Sequence, residues 1–342
     1  LQVVQAWTDD GLYATLHRRL EEAGTAPVVD LPEAGPLVAR TGRTGLPAVG
    51  RGPDGMLDRA TKARFEGRAA AQSRLDGELL GQGSDRAFID DSNDFPPGYI
   101  AVVHADANGV GALISSGAVA DLAAFSTSLR ASALDAAIAA VGTLPQAGAT
   151  VPARPVVLGG DDFTMLVPAR HALGFTRTYL QHFEAATRDR KADLGRPLYA
   201  CAGVAIVKPG WPYLDAHALA ESLCDAAKAK FRTVHRSGLA FHRVTTALTG
   251  DWESVRDTEL RGTAGSLTGM PYALEDIDHL QRLADVVRLM PRGALRRWVD
   301  LARVDAQRAA EHWSRLREVA QRTHPTRLEA FDNALRALGA DP

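Results

Sequence analysis

Residues 155–167 read PVVLGGDDFTMLV, and this stretch decides the fold. Two short apolar runs flank the tetrapeptide GGDD, which is the pattern of two antiparallel strands joined by a tight turn. Glycine adopts the positive φ angles that such turns require, so Gly159 and Gly160 favour a hairpin whose tip holds the carboxylates of Asp161 and Asp162. The simplest alternative is a solvated turn, because aspartate is itself a good turn former.

The segments around this hairpin follow a regular order. Apolar runs predict further strands, and Ala-rich or amphipathic stretches predict helices between them. The strands lie at 99–105, 198–207 and 238–244, and the helices lie at 117–141, 171–191 and 215–231. The order β-α-β-β-α-β, with one added helix and strand, is that of a ferredoxin-like or palm sheet. We therefore predict an α+β fold with a palm domain at 96–250.

Helical patterns dominate the rest of the chain. After the palm, apolar residues at helical spacing predict four helices, at 273–289, 293–308, 308–322 and 326–338. They define a C-terminal helical domain at 251–342. The N-terminal region, 1–95, has predicted helices at 11–23 and 57–80, and a cluster of Gly, Pro and Asp residues places its boundary near residue 95.

The composition excludes several classes of protein. The 342 residues are 46% hydrophobic and 23% charged with a formal net charge of -2, which argues against a disordered chain and a generally basic nucleic-acid coat. The two cysteines, Cys201 and Cys224, form no CxxC pair, so we expect neither a disulfide framework nor a Cys-rich zinc module. No export signal or membrane span is indicated, and a cytoplasmic protein is expected.

A further carboxylate follows the first palm strand. In a β-α-β-β-α-β sheet this strand neighbours the hairpin, so Asp106 is expected to converge with Asp161 and Asp162 at one edge. Three carboxylates that close repel one another unless cations neutralise them, and Mg²⁺ prefers such oxygen ligands together with substrate phosphates. Two such ions support nucleotidyl transfer, in which a ribose 3'-hydroxyl attacks an α-phosphate.

The residues after Asp106 are compatible with a phosphate site. Asn108, Gly109 and Gly111 can present backbone N–H groups to a triphosphate, although Asn-Gly is also the commonest turn signal. His104 precedes Asp106 by two residues. We interpret it as a packed histidine rather than a ligand.

Two lysines end the last palm helix. Lys228 and Lys230 are two of only five lysines in the chain, and a triphosphate needs charge partners of this type. Cations near a helix C-terminus are also ordinary partners of the helix dipole, so their position alone does not decide between the two roles.

Several separated motifs together resemble a known family. The runs YIAVVHADANGVG, VVLGGDDFTMLV and YACAGVAIVKPGWPYLDAHALAESLCDAAKAKFR are similar, in this order, to the second palm domain of the large subunit of type III CRISPR effector complexes, the Cas-ten or CRISPR-polymerase family. The following SLTGMPYALEDIDHLQRLADVVRLMPRGAL resembles that family's helical thumb. The resemblance covers about 99–300.

This resemblance implies an enzyme that uses Mg²⁺ or Mn²⁺ to join ATP into cyclic oligoadenylates, the second messengers of an antiviral defence. Carried over by position, the implied metal ligands are Asp106, Ala107, Asp161 and Asp162, of which the three aspartates are catalytic. The residues expected to bind nucleotide are Asn108, Gly109, Gly111, Gly159, Gly160, Lys228 and Lys230.

The chain also departs from the family. It contains no His-Asp dipeptide, so we expect no HD nuclease domain, and the cysteines of the family's zinc module are missing. Only one palm is recognisable, whereas the reaction needs two adjacent ATP sites. Either 1–95 is a reduced first palm or two chains form a homodimer. The resemblance further implies subunits of an RNA-guided complex as partners and RNA as an activator.

Two other interpretations stay open. In the first, the palm is a scaffold or sensor that binds a nucleotide or RNA without turnover. The retention of GGDD and Asp106 argues against it, because a degenerating site is expected to lose its carboxylates. In the second, the chain is a stand-alone cyclic dinucleotide synthase, which uses the same chemistry in a different pathway.

Overall fold

The computed structural model describes residues 38–339, except 43, 54, 92–93, 146–147, 246–249 and 264. The predicted helix at 11–23 lies outside the described residues. Spatial proximity divides the chain into two compact units. One consists of Leu1–Gly83 with Gly111–Ala118, and the other of Ser84–Val110 with Val119–Pro342.

The helices and strands are numbered in chain order. The helices in the described residues are α1 (Arg59–Leu80), α2 (Val110–Ser115), α3 (Leu122–Gly142), α4 (Ala169–Asp189), α5 (Lys191–Leu194), α6 (Tyr213–Phe231), α7 (Trp252–Glu259), α8 (Ile277–Val287), α9 (Arg292–Val304), α10 (Ala306–Thr323) and α11 (Pro325–Ala337). The strands there are β1 (Gly50–Gly52), β2 (Gly55–Leu57), β3 (Ala87–Phe88), β4 (Ile100–Ala107), β5 (Thr150–Val151), β6 (Arg154–Gly159), β7 (Asp162–Pro168), β8 (Ala200–Val207), β9 (Gly238–Arg243), β10 (Arg261–Gly262), β11 (Gly265–Ser266) and β12 (Tyr272–Ala273).

The first unit contains a small hairpin, one long helix and most of the short helix α2. Strands β1 and β2 pair antiparallel, and Arg40 forms an antiparallel bridge with Pro47 just before them. Helix α1 begins after Asp58, whose carboxylate accepts hydrogen bonds from the backbone N–H of Thr61 at 2.9 Å and from the Thr44 hydroxyl at 2.9 Å. These bonds, above all the one from the backbone N–H of Thr61, lower the pKa of Asp58 from 3.8 to about 2.

A six-stranded sheet forms the centre of the second unit. Its strand order is β12-β9-β8-β4-β7-β6. The four strands β8-β4-β7-β6 pair antiparallel throughout and form the β-α-β-β-α-β set that the sequence predicts. Strand β9 runs parallel to β8 after the crossover helix α6, and β12 adds an antiparallel edge strand. The predicted α+β palm fold is confirmed.

Helices cover both faces of this sheet. On one face, Ile100 and Val102 of β4 pack in a single cluster with the buried leucines of α6. On the other face, Phe163 of β7 stacks on Tyr179 of α4, with 4.3 Å between the ring centroids. Because side chains alternate along a strand, Asp106 lies on the same face as Ile100 and Val102, which is the face that α6 covers.

Helix α6 lies unusually close to strand β8. A Cβ atom added to Gly203 would lie 1.8 Å from the carbonyl oxygen of Ala220 and 2.6 Å from the backbone nitrogen of Cys224. The Cys224 thiol donates a hydrogen bond of 3.2 Å to the carbonyl oxygen of Cys201, and both cysteines are buried. The glycine therefore sets the distance between the helix and the sheet.

The palm differs from the sequence prediction where one long helix was expected at 117–141. The structure has a short helix, α2, before this region, and the long helix α3 begins only at Leu122. Gly117 has a φ of +71°, which interrupts a helix, and the Asp121 carboxylate caps α3 by accepting hydrogen bonds from the N–H groups of Ala123 and Ala124. The predicted start at 117 was therefore wrong.

The region after residue 250 is not helical throughout. Helix α7 and the β10–β11 hairpin occupy a stretch where no element was predicted, and β12 joins the palm sheet. The boundary between α9 and α10 falls at Asp305, whose carboxylate accepts from the N–H of Arg308 at 3.0 Å. Spatial proximity groups this region with the palm. The division at 250 therefore stays a prediction.

Candidate active site

Strand β4 carries Asp106 to the end of the sheet, where it pairs in register with Cys201 of β8. Lys228, in the last turn of α6, donates a hydrogen bond from its ammonium group to Oδ2 of Asp106. The two side chains are only 23% and 30% exposed, so water screens this ion pair incompletely. Burial, the largest influence, lowers the pKa of Lys228, but the contact with Asp106 and neighbouring negative charge raise it above its ordinary value overall.

The acidic hairpin has the form that the sequence predicts. Gly159 pairs with Asp162, which leaves a two-residue loop of Gly160 and Asp161. Gly160 has a φ of +63°, the left-handed region in which glycine is favoured. A positive φ at the first loop residue is the feature of a type II′ turn, whose twist matches that of the flanking strands.

The structure brings the predicted carboxylates to one end of the sheet, because Ala105 of β4 pairs with Phe163 of β7 and so sets Asp106 beside Asp162. The pKa of Asp161 is raised to about 6, first by burial and then by the negative charge of Asp106 beside it. The pKa of Asp162 is also raised, chiefly by burial and further by Asp106, while His104 opposes the shift. This end of the sheet therefore holds more negative charge than Lys228 alone can compensate.

One oxygen of Asp162 lacks a partner. Its Oδ1 atom is buried and accepts no hydrogen bond from the described residues, although Nδ1 of His104 lies 3.5 Å away. The same His104 nitrogen lies 3.1 Å from the hydroxyl oxygen of Thr164. Burial lowers the pKa of His104, which favours its neutral form. A buried carboxylate oxygen without a donor is a group that a cation would satisfy.

The donor set fits a hard divalent cation. Among the described residues, no group of three or more His, Cys, Asp or Glu side chains is already arranged to hold a metal ion. The carboxylates of Asp106, Asp161 and Asp162 are nevertheless oxygen donors with uncompensated charge, the type that Mg²⁺ and Mn²⁺ prefer. Ala107, the remaining predicted ligand, ends β4 opposite Ala200 with its side chain buried. Its role stays a prediction.

Asn108 anchors the turn that follows β4. Its backbone N–H donates to the carbonyl oxygen of Tyr199 at 2.7 Å. Its side-chain NH₂ group donates to Sγ of Cys201 at 3.3 Å and to the carbonyl oxygen of Arg236 at 3.4 Å. The remaining side-chain atom, Oδ1, is buried without a partner in the described part of the chain. The side chain therefore holds the turn against the sheet.

The two glycines of this turn differ in their surroundings. Gly109 has a φ of +77°, and Nη2 of Arg196 lies 3.6 Å from the position that a Cβ atom on Gly109 would occupy. Gly111 lies in the first turn of α2, where an added Cβ would have no neighbour within 4 Å. Of these two positions, only 109 has a backbone conformation that favours glycine.

Lys230 is not brought to the carboxylates. Its ammonium group donates to the carbonyl oxygen of Pro271 at 2.7 Å and lies 5.3 Å from the centroid of the Phe231 ring. Pro271 precedes β12, which lies three strand positions from β4 in the sheet. Residues two apart on a helix point in nearly opposite directions, so the two ammonium groups contact different partners, Asp106 and the carbonyl oxygen of Pro271.

Comparison with known protein families gives a match within this fold. Residues 99–234 match the family model described as Cas10/Cmr2, second palm domain. The chain carries a Cas10-like palm. The match spans β4 to the end of α6, and it therefore includes the four residues Asp106, Asp161, Asp162 and Lys228.

Solved structures similar to this chain include two of Csm1 and Csm4. One is a Csm1-Csm4 subcomplex of the type III-A CRISPR-Csm interference complex, with 18% identity, a TM-score of 0.34 and coverage of 56% of this chain and 28% of that chain. Another, a Csm1-Csm4 cassette in complex with AMPPNP, has 19% identity, a TM-score of 0.32 and coverage of 56% and 29%. This chain thus matches less than a third of either.

A third similar structure is the Vibrio cholerae LapD S helix-GGDEF-EAL protein bound to c-di-GMP. It has 13% identity, a TM-score of 0.26 and coverage of 83% of this chain and 78% of that chain. A comparison with curated protein sequences found no match. Among the described residues, no helix combines the length and the apolar character needed to cross a membrane.

The structure adds residues to the Cas10-like site that sequence reasoning missed. Tyr213, His217 and Glu221 follow one another at four-residue spacing on α6, so they share one face of the helix. Nδ1 of His217 lies 3.4 Å from Glu221, and its ring lies 5.5 Å from the rings of Tyr213 and His104. The four-residue spacing of these side chains could have indicated them from the sequence, because Lys228 follows Glu221 by two helical turns on the same helix.

Proposed function

We propose that this chain is a nucleotidyltransferase that joins ATP into cyclic oligoadenylates with the help of Mg²⁺ or Mn²⁺. The observation that carries the proposal is the position of three carboxylates and Lys228 at one end of a Cas10-like palm sheet. Asp106 and Asp162 lie on palm strands, Asp161 lies in the turn before β7, and Lys228 lies on α6. Elements of the palm therefore supply all four groups. The family resemblance supplies the choice of ATP and of a cyclic product.

The acidic residues would hold the divalent ions. Asp106, Asp161 and Asp162 are the candidate ligands, with Ala107 proposed as a fourth. When bound, such ions lower the pKa of an attacking hydroxyl and neutralise charge that develops on the phosphates. Lys228 provides a fixed positive charge beside Asp106, where it can also bind a polyphosphate.

The reaction connects two nucleotides. The 3'-hydroxyl oxygen of one ATP forms a bond to the α-phosphorus of another, the bond from that phosphorus to the bridging oxygen breaks, and pyrophosphate leaves with the electron pair. The hydroxyl proton passes to a carboxylate or to water at this end of the sheet. The second ATP needs a second palm, which we propose comes from 1–95 or from another copy of the chain.

We further propose that the chain works beside other subunits of an RNA-guided complex, with RNA as the activator. This part of the proposal rests on the family resemblance. It predicts that the isolated chain is less active than the same chain mixed with its complex and target RNA.

Product analysis tests the catalytic assignment. The purified chain is incubated with each NTP and with Mg²⁺ or Mn²⁺, and the products are identified by mass spectrometry. Asp161→Asn/Asp162→Asn is the test variant, and Asp300→Asn, which changes an exposed carboxylate on α9, is the control. We expect the test variant to lose at least about 100-fold in rate while the control keeps the wild-type rate. Equal product from the test variant would refute the assignment.

A second candidate function is a nucleotide-binding subunit without turnover. The observation that favours it is the ion pair itself, because the Lys228 ammonium group already neutralises Asp106. ATP binding without any product, with or without complex and RNA, would support this candidate. A cyclic dinucleotide from the isolated chain would instead support a stand-alone synthase.

A further inference from the structure

Arg196 lies beside the turn that follows the first strand of the palm. Its guanidinium Nη2 atom is 3.6 Å from the position of a Cβ atom built on Gly109. Because Gly109 has no side chain, the guanidinium faces the bare backbone of this turn. Within the described part of the chain, the Arg196 side chain has neither a hydrogen-bond nor an ion-pair partner.

The backbone on both sides of Arg196 is fixed. Leu194 and Leu198 are each only 1% exposed. The backbone N–H of Leu198 donates to the Thr187 hydroxyl at 3.1 Å, and this hydroxyl donates back to the Leu198 carbonyl oxygen at 3.0 Å. Pro197 restricts Arg196 to extended backbone conformations. The exposed side chain therefore projects from an ordered loop between α5 and β8.

The same loop is tied to the turn that Arg196 faces. The N–H of Asn108 donates to the carbonyl oxygen of Tyr199 at 2.7 Å, three residues after Arg196. Asn108 is itself only 8% exposed. A backbone hydrogen bond thus joins the loop that carries Arg196 to the turn.

Lys228 and Arg196 lie beside opposite ends of one short segment, residues 106–109. Lys228 contacts Asp106, and Arg196 lies beside Gly109. Four residues span at most about 14 Å even when fully extended, a distance that one nucleoside triphosphate can cover. The three carboxylates outnumber the lysine, so an anionic ligand here needs another positive charge in addition to any metal ion. A guanidinium can donate two parallel hydrogen bonds to phosphate oxygens.

We propose that Arg196 binds the polyphosphate of the nucleotide and makes the site selective for triphosphates over monophosphates. The inference rests on the proposed function, because it requires a nucleotide at Asp106 and Lys228. It adds a binding residue from a loop that no sequence motif marks.

Three nucleotides with different numbers of phosphates test this role. The affinities of ATP, ADP and AMP for the full chain are measured by calorimetry with Mg²⁺ present, for the wild type, Arg196→Ala and Arg196→Lys. The matched control is Arg170→Ala, an exposed arginine in the first turn of α4, at the opposite end of the sheet. Ala169 bonds there to Tyr99, just before β4 begins.

We expect Arg196→Ala to bind ATP about 10-fold more weakly than the wild type does. Its affinity for ADP should fall less, and its affinity for AMP should stay within about 2-fold of the wild-type value. Arg196→Lys recovers part of the loss, because lysine keeps the charge but lacks the planar fork. Arg170→Ala binds all three ligands like the wild type. If Arg196→Ala does not fold, Arg196→Gln removes the charge with a similar side-chain length and gives the same readout.

Two results would overturn the inference. If Arg196→Ala binds ATP with wild-type affinity, Arg196 does not contact the polyphosphate. If the variant loses affinity for ATP and AMP equally, the role of Arg196 is unrelated to the polyphosphate. Both results leave the proposed nucleotidyltransferase standing, because the wild type still binds ATP. Failure of the wild type to bind any of the three ligands would overturn both proposals together.

Discussion

The ammonium group of Lys228 and the carboxylate of Asp106 form an ion pair between the last turn of α6 and the end of β4. Lys228→Met removes the charge and keeps most of the side-chain volume, which leaves the Asp106 carboxylate partly buried beside Asp161. We expect the free energy of unfolding to fall by about 1–2 kcal/mol, measured by urea denaturation.

The chain provides a matched control for this change two residues away. Lys230→Met makes the same chemical change on the same helix, but its ammonium group bonds to the carbonyl oxygen of Pro271. We expect a loss below about 0.5 kcal/mol, typical of surface substitutions. A double-mutant cycle with Asp106→Asn isolates the pair. If both lysine variants lose the same stability, the ion pair contributes nothing.

The hairpin turn depends on the backbone conformation of Gly160. Its φ of +63° is unfavourable for residues with a Cβ, so Gly160→Ala should destabilise the protein by about 1–2 kcal/mol and displace the carboxylates at the tip. Gly159→Ala is the control, because Gly159 has no positive φ and an added Cβ there meets nothing within 4 Å. Urea denaturation compares the stability of the two variants, and product formation by Gly160→Ala measures the displacement of the carboxylates. Equal stability of the two variants would contradict the turn argument.

The close contact at Gly203 predicts a larger effect. Gly203→Ala must push α6 away from β8, since its Cβ would lie 1.8 Å from the carbonyl oxygen of Ala220. We expect a loss of about 3 kcal/mol, together with weaker coupling between Lys228 and Asp106. Gly293→Ala in α9, where an added Cβ has open space, should keep or slightly raise the melting temperature. A wild-type melting temperature for Gly203→Ala would show that the helix can shift at little cost.

The capping carboxylate Asp58 predicts a pH dependence in the first unit. Its pKa is lowered from 3.8 to about 2, so its contribution to stability is complete above the unfolded value and is lost as the pH falls toward the folded value. The difference in melting temperature between the wild type and Asp58→Asn should therefore be present at about pH 5 and disappear toward about pH 2. A difference that does not change with pH would contradict this assignment.

The sequence was a good guide where one local pattern determines the structure. Apolar runs around Gly159 and Gly160 predict the hairpin, and the order of elements then places Asp106 beside it. The start of α3 was missed because a single glycine, Gly117, and a single cap, Asp121, outweigh the helical propensity of the alanines between and after them.

The site was predictable only in part for a similar reason. Lys230 was grouped with Lys228 by sequence proximity, whereas the helical period turns the two side chains apart. Arg196 gave no signal at all. Its position depends on the path of the loop between Leu194 and Leu198, and this path is set by tertiary packing rather than by any local motif.

The two cysteines at the contact between α6 and β8 also give the palm an internal reporter. Burial raises the pKa of both thiols, so Cys201 and Cys224 should resist an alkylating reagent while the helix stays docked. Modification requires the helix to lift from the sheet, and the chain has no other cysteine to obscure the count. The rate of alkylation therefore measures how often α6, which carries Lys228, separates transiently from the sheet. A nucleotide that bridges the helix and the sheet should lower this rate.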